Sequence, residues 1–302
     1  MKNILVVSDN ADLVTHFRGL VSRREISYAA GFDFTYSAKN KNPFLLEKMG
    51  LQSIDLADDD VCSYVIKKYD FVLSIHCKQI FPARLVSEVV CINFHPGYNP
   101  YNRGWYPQVF SILWKMPIGV TIHLMDEHVD HGPIISREEV KIYPWDTSLD
   151  VYDRVIEKEK ELMDSSLESI VNNGYSLLSP DSSGNYNSIG DFQRLCRLDL
   201  EAEGTLQEHL DRLRALSHGD YRNAYFEYDG RMTYVALQLS RVGDDSRSCF
   251  DRERLVDGVL DLTQIGSLGS CLETLGWRKD SWKRPYFSAR DHSMVVQLRV
   301  FS

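Results

Sequence analysis

The 302 residues contain no apolar run approaching the roughly 18 residues that a helical membrane span needs, so no membrane partner is expected. Basic charge is also in deficit. Against 43 Asp and Glu stand 34 Lys and Arg, and the net charge of −9 opposes non-specific binding to a nucleic-acid backbone. That balance still leaves room for a local basic pocket holding one diphosphate. Cysteines are few: Cys62, Cys77, Cys91, Cys196, Cys249 and Cys271 include no C-x-x-C pair, which argues against a disulfide framework and a cysteine zinc site. The apolar stretch behind Met1-Lys2-Asn3 is too short for a signal peptide, so the expected location is the cytoplasm. Ile4-Leu5-Val6-Val7 runs into Ser8-Asp9-Asn10-Ala11 and not into G-x-G-x-x-G, so the pyrophosphate fingerprint of a nicotinamide enzyme is missing. Repeats of fixed period and low-complexity segments are absent as well. What remains is an ordinary globular composition, 43% hydrophobic and 25% charged, long enough for a main domain and at least one smaller appendage.

Apolar runs at 4–7, 26–30, 70–75 and 89–93 read as strands, with helices expected at 11–22 and 59–68 between them. Strands that alternate with helices and read as unbroken apolar runs predict a doubly wound α/β domain with a mostly parallel sheet covered on both faces. Ligands of such sheets sit beyond the carboxyl ends of the strands, where residues 74–78 and 93–95 fall. Further on, the spacing predicts a helix at 107–115 and antiparallel strands at 119–125 and 134–142 joined through a turn at 126–133. A long helix at 148–172 then stops at Asn172-Asn173-Gly174. Residues 179–185 have the composition of a linker. Beyond it come a helix at 204–215 capped at Thr205 and a hairpin of 224–228 with 233–239 turning at Asp229-Gly230. The tail predicts a helix near 252–262 and strands near 286–288 and 293–301.

The densest chemistry lies in Asn93-Phe94-His95-Pro96-Gly97 and in the stretch from Gly119 through Asp130 to Pro133. Asn93 and His95, two residues apart at a strand end, point the same way, and Pro96 stops the strand because it lacks an amide donor. An amide that stabilises a developing oxyanion, an imidazole that takes a proton from an attacking amine, and Asp130 to orient that imidazole together suit acyl transfer. Taken singly, each has a plainer reading: Asn93 and Asp130 satisfy turn backbone, and His95 packs as a hydrogen-bonded core residue.

The strings N-F-H-P-G-Y-N-P-Y-N-R-G at 93–104 and G-V-T-I-H-L-M-D-E-H-V-D-H-G-P-I-I at 119–135 resemble the folate-dependent formyltransferase family, whose pattern is Asn-x-His-Pro followed by an Asp ahead of a Gly. The resemblance covers roughly residues 1–180 and implies a Rossmann-like formyltransferase fold with a smaller C-terminal α+β region. It implies 10-formyltetrahydrofolate as formyl donor, no metal requirement, and Asn93, His95 and Asp130 as the matching catalytic positions. After His-Pro the purine and tRNA enzymes usually carry Ser-Leu-Leu-Pro, whereas this chain has Gly97-Tyr98-Asn99-Pro100. That departure, with Ser74-Ile75-His76-Cys77-Lys78 ahead of Gln79-Ile80-Phe81-Pro82, resembles the sugar-nucleotide N-formyltransferases, particularly those acting on dTDP-linked aminodideoxyhexoses. The implied acceptor is the amine of a dTDP-4-amino-4,6-dideoxyhexose, the gluco form being expected, for N-formylated sugars of surface polysaccharide such as O-antigen. The 3-amino isomer is the alternative.

The implied folate residues are Gln79, Ile80, Phe81, Pro82 and Leu85, an apolar wall on bent backbone, together with Asp126; Ile80 and Phe81 read equally well as a helix cap or hydrophobic staple. The implied substrate residues are Ser74, His76, Lys78, Tyr101, Arg103 and Trp105, with Lys78 and Arg103 neutralising a diphosphate or, taken singly, remaining solvated charges. Tyr221, Asn223 and Tyr225 lie in a segment resembling one that reaches over the nucleotide, where Asn223 bonds the thymine edge and a tyrosine stacks on it. Tyr225, Glu227 and Tyr228 also fit a half-buried strand. The expected organisation is a catalytic domain at 1–180, a helix-plus-hairpin region contributing to nucleotide binding at 181–240, and an extension at 241–302 that covers a sheet edge, builds a homodimer contact or adds a regulatory module. Two other readings compete. The cluster of His123, His128, His131, Asp126 and Asp130 suggests zinc and a hydrolase, and a nucleotide sensor retaining the fold is the third possibility.

Overall fold

The structure, a computed structural model, describes residues 1–23, 30–180, 182–241, 255–256, 265–275, 288–290 and 294–301. In chain order the first elements are β1 Lys2–Ser8, α1 Ala11–Arg23, β2 Ala30–Ser37, α2 Phe44–Lys48, β3 Gln52–Ile54, α3 Asp59–Lys68, β4 Phe71–Ile75, α4 Ala83–Glu88 and β5 Val90–His95. There follow β6 Arg103–Gly104, α5 Pro107–Trp114, β7 Ile118–Leu124, β8 Ile134–Val140 and α6 Ser148–Val171. The remainder is β9 Tyr186–Asn187, α7 Ile189–Cys196, β10 Glu203–Thr205, α8 Leu206–Leu216, β11 Ala224–Tyr228, β12 Arg231–Arg241, β13 Leu255–Val256, β14 Ile265–Ser267, α9 Leu268–Thr274, β15 Ser288–Arg290 and β16 Met294–Phe301. Contacts group these into two units, one of 1–104, 117–140 and 154–186, the other of 105–116, 141–153 and 187–302.

The first unit holds the seven-stranded sheet in the order β3-β2-β1-β4-β5-β7-β8. The five strands from β3 to β5 run parallel, and β7 and β8 close the sheet antiparallel. This is the doubly wound α/β fold expected from the alternating pattern. Ile4, Leu5, Val6 and Val7 at its centre are all but fully buried, each stabilising the fold by about 1.5–3 kcal/mol. On one face Leu5, Val7, Val72 and Cys91 pack with Cys62, Val65, Leu85 and Phe81. On the other, Phe17 of α1 meets Phe32, Phe34 and Phe94 edge-on. Asn10 caps α1 by accepting the Asp12 and Leu13 N–H groups, and Asp58 caps α3 in the same way.

β2 differs from expectation. The apolar pattern predicts a strand at 26–30, of which 26–29 lie outside the described residues, whereas the observed strand runs Ala30–Ser37. There Phe32, Phe34 and Tyr36 alternate with Asp33 and Thr35, so the signal is one of period two and not an apolar run. Helix α2 and strand β3, of five and three residues, are too short to show a period at all.

Between β7 and β8 two glycines allow backbones to touch. A Cβ on Gly132 would lie 2.0 Å from Leu124 O, and one on Gly119 1.9 Å from Glu138 O. Gly132→Ala is therefore expected to destabilise the protein by about 1–3 kcal/mol and to displace the neighbouring Asp130 loop. Thermal denaturation checks the first effect; unchanged stability would show that β7 can yield.

Within the stretch expected as a linker, 179–185, residues 183–185 are tied down. Asn185 O accepts the Arg103 N–H, Asn185 Oδ1 accepts the Asn102 N–H, and Asn185 Nδ2 donates to Asn102 Oδ1. Gly184, at φ +59°, lies so close to Pro100 that a Cβ there would fall 1.8 Å from its carbonyl oxygen. The polar composition reflects this bonding and not a loose tether.

In the second unit a capping box of Thr205 and Glu208 starts α8. Arg214 on that helix pairs with Asp211 at 2.7 Å and donates to the Tyr143 and Asp146 carbonyls. The expected hairpin forms β11 and β12, with Asp229 and Gly230 both at positive φ as a type I′ turn requires. β12 then pairs over Tyr234–Arg241 with β16, in a sheet ordered β11-β12-β16-β15-β13. The tail departs from expectation at 252–262: Leu255 and Val256 are strand, the rest of that stretch lies outside the described residues, and the helix present is α9, capped by Ser267.

Candidate active site

Sheet register brings the central residues together. Asn93 and His95 end β5, and antiparallel pairing sets His123 opposite Asn93 and Thr121 opposite His95. The β7–β8 ladder shifts register between Ile122 and His123, the kind of irregularity that re-aims a side chain. Asp130 arrives from the turn between these strands with φ at 51°, a left-handed conformation that aspartate tolerates better than most residues. Its Oδ1 accepts from Asn93 Nδ2 at 2.8 Å, its Oδ2 accepts from Gly104 N at 3.0 Å, and His95 Nδ1 stands 3.4 Å from the same Oδ2. Asn99 Nδ2 donates to the Asp130 carbonyl at 2.8 Å, and Asn99 is itself held by Thr121 Oγ1, which donates to Gly97 O. Asn93, His95 and Asp130 thus converge.

Sequence pattern alone assigns His123 only to a metal cluster. In the structure His123 is buried, Nδ1 lies 2.8 Å from Leu124 O, and Nε2 stands 3.3 Å from Asn93 Nδ2 and 3.6 Å from Asp130 Oδ1. Donation from Nδ1 to the carbonyl leaves Nε2 as the acceptor for Asn93. Antiparallel pairing of 119–125 against 89–93 is the signal that would have found it.

His95 is buried, and its Nε2 has no hydrogen-bond partner. Gly97 keeps the space next to that nitrogen clear, since a Cβ there would lie 2.3 Å from Nε2. Burial pushes the imidazole down to about 4; Asp130 opposes this, while His123, His76 and Arg103 add to it. Burial alone would raise the Asp130 carboxyl, but His95, His123 and the Gly104 amide outweigh it and hold the group well below the usual carboxylate range. The resting site is therefore a neutral imidazole against a carboxylate. Because His95 is neutral when folded down to about pH 4 and takes a proton near 6.5 when unfolded, the unfolded chain binds more protons between those values. Its contribution is whole above about pH 6.5 and is lost as pH falls toward 4, by about 3 kcal/mol. Melting temperature followed from pH 7 to pH 4.5 should fall more steeply in the natural protein than in His95→Asn; parallel curves would contradict the assignment.

The expected folate residues divide. Phe81 and Leu85 lie in the core, and Gln79 is buried with its amide bonding Asp55 and the Leu56 N–H. Pro82 begins α4, and Ile80 stands 77% exposed. Asp126 accepts from His131 Nδ1 at 2.7 Å and from the His128 N–H. Since His123 turns instead to Asn93, these histidines do not share one focus, and no group of three or more potential metal ligands forms among the described residues.

Of the expected substrate residues in this unit, Ser74 is buried opposite Asn93 on β4, and His76, with φ at 53°, lies 2.7 Å through Nε2 from Glu159 Oε2. Lys78 is exposed, its backbone N–H bonded to Asp9, which also accepts from Ser37. Tyr101 is half-buried. Arg103 donates to Val129 O and Ser183 O, while its buried Nε has no partner. It thereby braces the turn carrying Asp130 and lines a cavity of about 330 Å³ with Asn99, Asp130, His131 and Ser183. None of 79–85 lines that cavity. In the second unit Trp105 is exposed and tilts against Tyr106, and Tyr221, 70% exposed, lies against His218. Asn223 Nδ2 donates to Leu216 O, and Tyr225 tilts against Tyr234 in the hairpin.

A proton acceptor beside an amide donor and a carboxylate, at the carboxyl ends of a doubly wound sheet, defines a group-transfer site. Residues 26–167 match the formyl transferase family, and 191–241 match the N-formyltransferase dimerization C-terminal domain. The chain is 49% identical over 176 residues, 58% of its length and 75% of the relative's, to the dTDP-4-amino-4,6-dideoxyglucose formyltransferase of Mycobacterium tuberculosis. Among solved structures it is similar to a sugar N-formyltransferase from a Shewanella species, with TM-score 0.77 and 48% identity over 79% of this chain and 98% of that one. It is also similar to a 4-N formyltransferase from Francisella tularensis, with TM-score 0.75 and 43% identity over 80% of this chain and 99% of that one. The chain belongs to the formyltransferase family and is an enzyme of formyl transfer.

Proposed function

We propose that the protein moves a formyl group from 10-formyltetrahydrofolate to the 4-amino group of a dTDP-4-amino-4,6-dideoxyhexose, with the gluco sugar as acceptor. The observation that carries this reading is the buried, unpartnered His95 Nε2 held next to Asn93 and Asp130, within a chain 49% identical to a formyltransferase named for that sugar nucleotide. When bound, the donor supplies an activated formyl carbon. His95 takes a proton from the attacking amine through Nε2 and returns it to the leaving nitrogen, the return being eased by an imidazole that holds protons weakly. The Asp130 carboxylate, 3.4 Å from Nδ1, favours the proton on that nitrogen, so the lone pair stays on Nε2. Asn93 keeps its 2.8 Å bond to Asp130 and gives up the longer 3.3 Å contact to His123 to meet the developing oxyanion. Exposed Ile80, in the segment whose Phe81 and Leu85 enter the core, is the apolar wall offered to the pterin.

Lys78 and Tyr101 are assigned to the diphosphate and hexose, and Tyr221, Asn223 and Tyr225 to the base, as the sequence resemblance implies. The reading includes a homodimer through the region matching the dimerization domain, catalysis in the cytoplasm and a product destined for surface polysaccharide. No helix among the described residues is long and apolar enough to cross a membrane. Mass spectrometry of the 4-amino and 3-amino dTDP-dideoxyhexoses after incubation with donor and enzyme tests the assignment. A gain of one formyl group is expected on the 4-amino gluco compound at the highest kcat/KM; preference for the 3-amino isomer would overturn the regiochemistry.

A further inference from the structure

Asn99 stands where the two halves of the triad meet. The chain leaving β5 after His95 passes through Pro96 and Gly97 into a loop, and that loop grips the turn carrying Asp130 at three points. Asn99 Nδ2 donates to the Asp130 carbonyl at 2.8 Å, Arg103 Nη1 to the Val129 carbonyl at 3.4 Å, and the Gly104 N–H to Asp130 Oδ2 at 3.0 Å. Only the last of these reaches the carboxylate. The other two hold the backbone behind it.

Asp130 needs such a hold. Its backbone lies at φ 51°, and a non-glycine residue keeps a left-handed conformation only where its surroundings over-determine it. Of the two backbone bonds the one from Asn99 is the shorter, and Asn99 is 1% exposed whereas Arg103 is half-buried. Water competes poorly for a buried bond, so the Asn99 contact is the stronger restraint.

Asn99 is itself immobilised. Its N–H donates to Thr121 Oγ1, whose hydroxyl donates to Gly97 O, and Arg137, lying over the Tyr98 ring, donates to Asn99 O. Thr121 on β7 pairs with His95 on one side and with Arg137 of β8 on the other, so the amide is fixed to the strands that flank the triad. Its Oδ1, however, has no partner. A buried amide with an idle oxygen costs stability where a leucine would fill the same space, and the bond from Nδ2 is what separates the two side chains.

We propose that Asn99 is a positioning residue for formyl transfer, which sets the Asp130 carboxylate against His95 by holding the Asp130 backbone and touches no reacting atom. This rests on the catalytic role given to Asp130 above. His95 Nδ1 stands 3.4 Å from Asp130 Oδ2, already at the outer limit of hydrogen-bond reach, so even a small relaxation of the turn uncouples the two. Misplacing a catalytic group by about 1 Å costs about 10²-fold in rate.

The test measures kcat and KM separately in the full-length enzyme, its Asn99→Leu and Asp130→Asn forms and the double variant, with the dTDP-amino sugar that the natural enzyme formylates. Asn99→Leu is expected to lower kcat by about 10²-fold with little change in KM for sugar or folate. In the Asp130→Asn background the same change should cost nothing further, because a residue that acts through Asp130 has nothing left to position. Losses that multiply in the double variant would give Asn99 a role of its own and overturn the proposal, as would an unchanged kcat. A raised KM with kcat preserved would make Asn99 a ligand contact and overturn it too. Natural kcat in Asp130→Asn would overturn the triad reading and this proposal together. Should Asn99→Leu not fold, Asn99→Ala decides through the same cycle, since residue 99 borders the cavity shared with Arg103 and Asp130 and water can fill the gap.

Discussion

His95→Asn is expected to lower formyl transfer by about 10²–10⁴-fold while leaving the fold and sugar-nucleotide binding nearly unchanged. Asparagine is smaller than histidine and polar, and it fits a site where the imidazole Nδ1 stands 3.4 Å from the Asp130 carboxylate and Nε2 is unpartnered. Removing Nε2 therefore breaks no hydrogen bond of the resting protein, yet it removes the acceptor that faces the space beside Gly97. The expected signature is a fall in kcat with little change in KM, because the lost interaction is made mainly in the transition state. A KM rise with kcat preserved would make His95 a binding residue only.

Asp130→Asn is expected to cost up to about 10⁴-fold in kcat, and unlike His95→Asn to cost some stability as well. Asparagine accepts the left-handed backbone at 130, so the loop itself is not strained by the change. The amide, however, has one oxygen where the carboxylate has two. Oδ1 receives Asn93 and Oδ2 receives the Gly104 N–H beside His95 Nδ1, so an NH₂ group at either position faces a donor. One buried bond to a charge is lost, worth about 1.5–3 kcal/mol, and the imidazole loses the partner that keeps its lone pair on Nε2. Comparing kcat with the melting temperature separates the two effects. Near-natural turnover at reduced stability would confine Asp130 to a structural role.

Much of this site is legible in the sequence because its residues are punctuated by backbone. Pro96 ends β5 just after His95, and the Asp130 turn is bounded by Gly132 and Pro133, so Asp130, far on in the sequence, meets Asn93 and His95 at the end of β5. What stays hidden depends on pairing between strands. His123 reads as a potential metal ligand until antiparallel register sets it opposite Asn93. Glu159 is one of many acidic residues on an amphipathic helix, and only its burial against His76 separates it from its solvated neighbours. Arg103 reads as a phosphate ligand, and the sequence does not show that its guanidinium also braces the carbonyls of Val129 and Ser183.

The fold shows the same division. β1, β4 and β5 are unbroken apolar runs because helices cover both faces, and such runs need no partner to be recognised. β2 interleaves aromatics with glycine, aspartate and threonine, a pattern that becomes a strand once Phe17 packs on its aromatic face. In the tail, α9 spans seven residues and β13 two, lengths at which neither helical nor strand periodicity declares itself.

A crystal structure with the dTDP-amino sugar and an unreactive folate analogue bound together tests the central claim most directly. The acceptor nitrogen should lie within hydrogen-bond reach of His95 Nε2, in the space Gly97 leaves open, with the analogue's carbonyl oxygen toward Asn93 Nδ2. An acceptor nitrogen seated away from His95, with Nε2 still facing no ligand atom, would contradict the account.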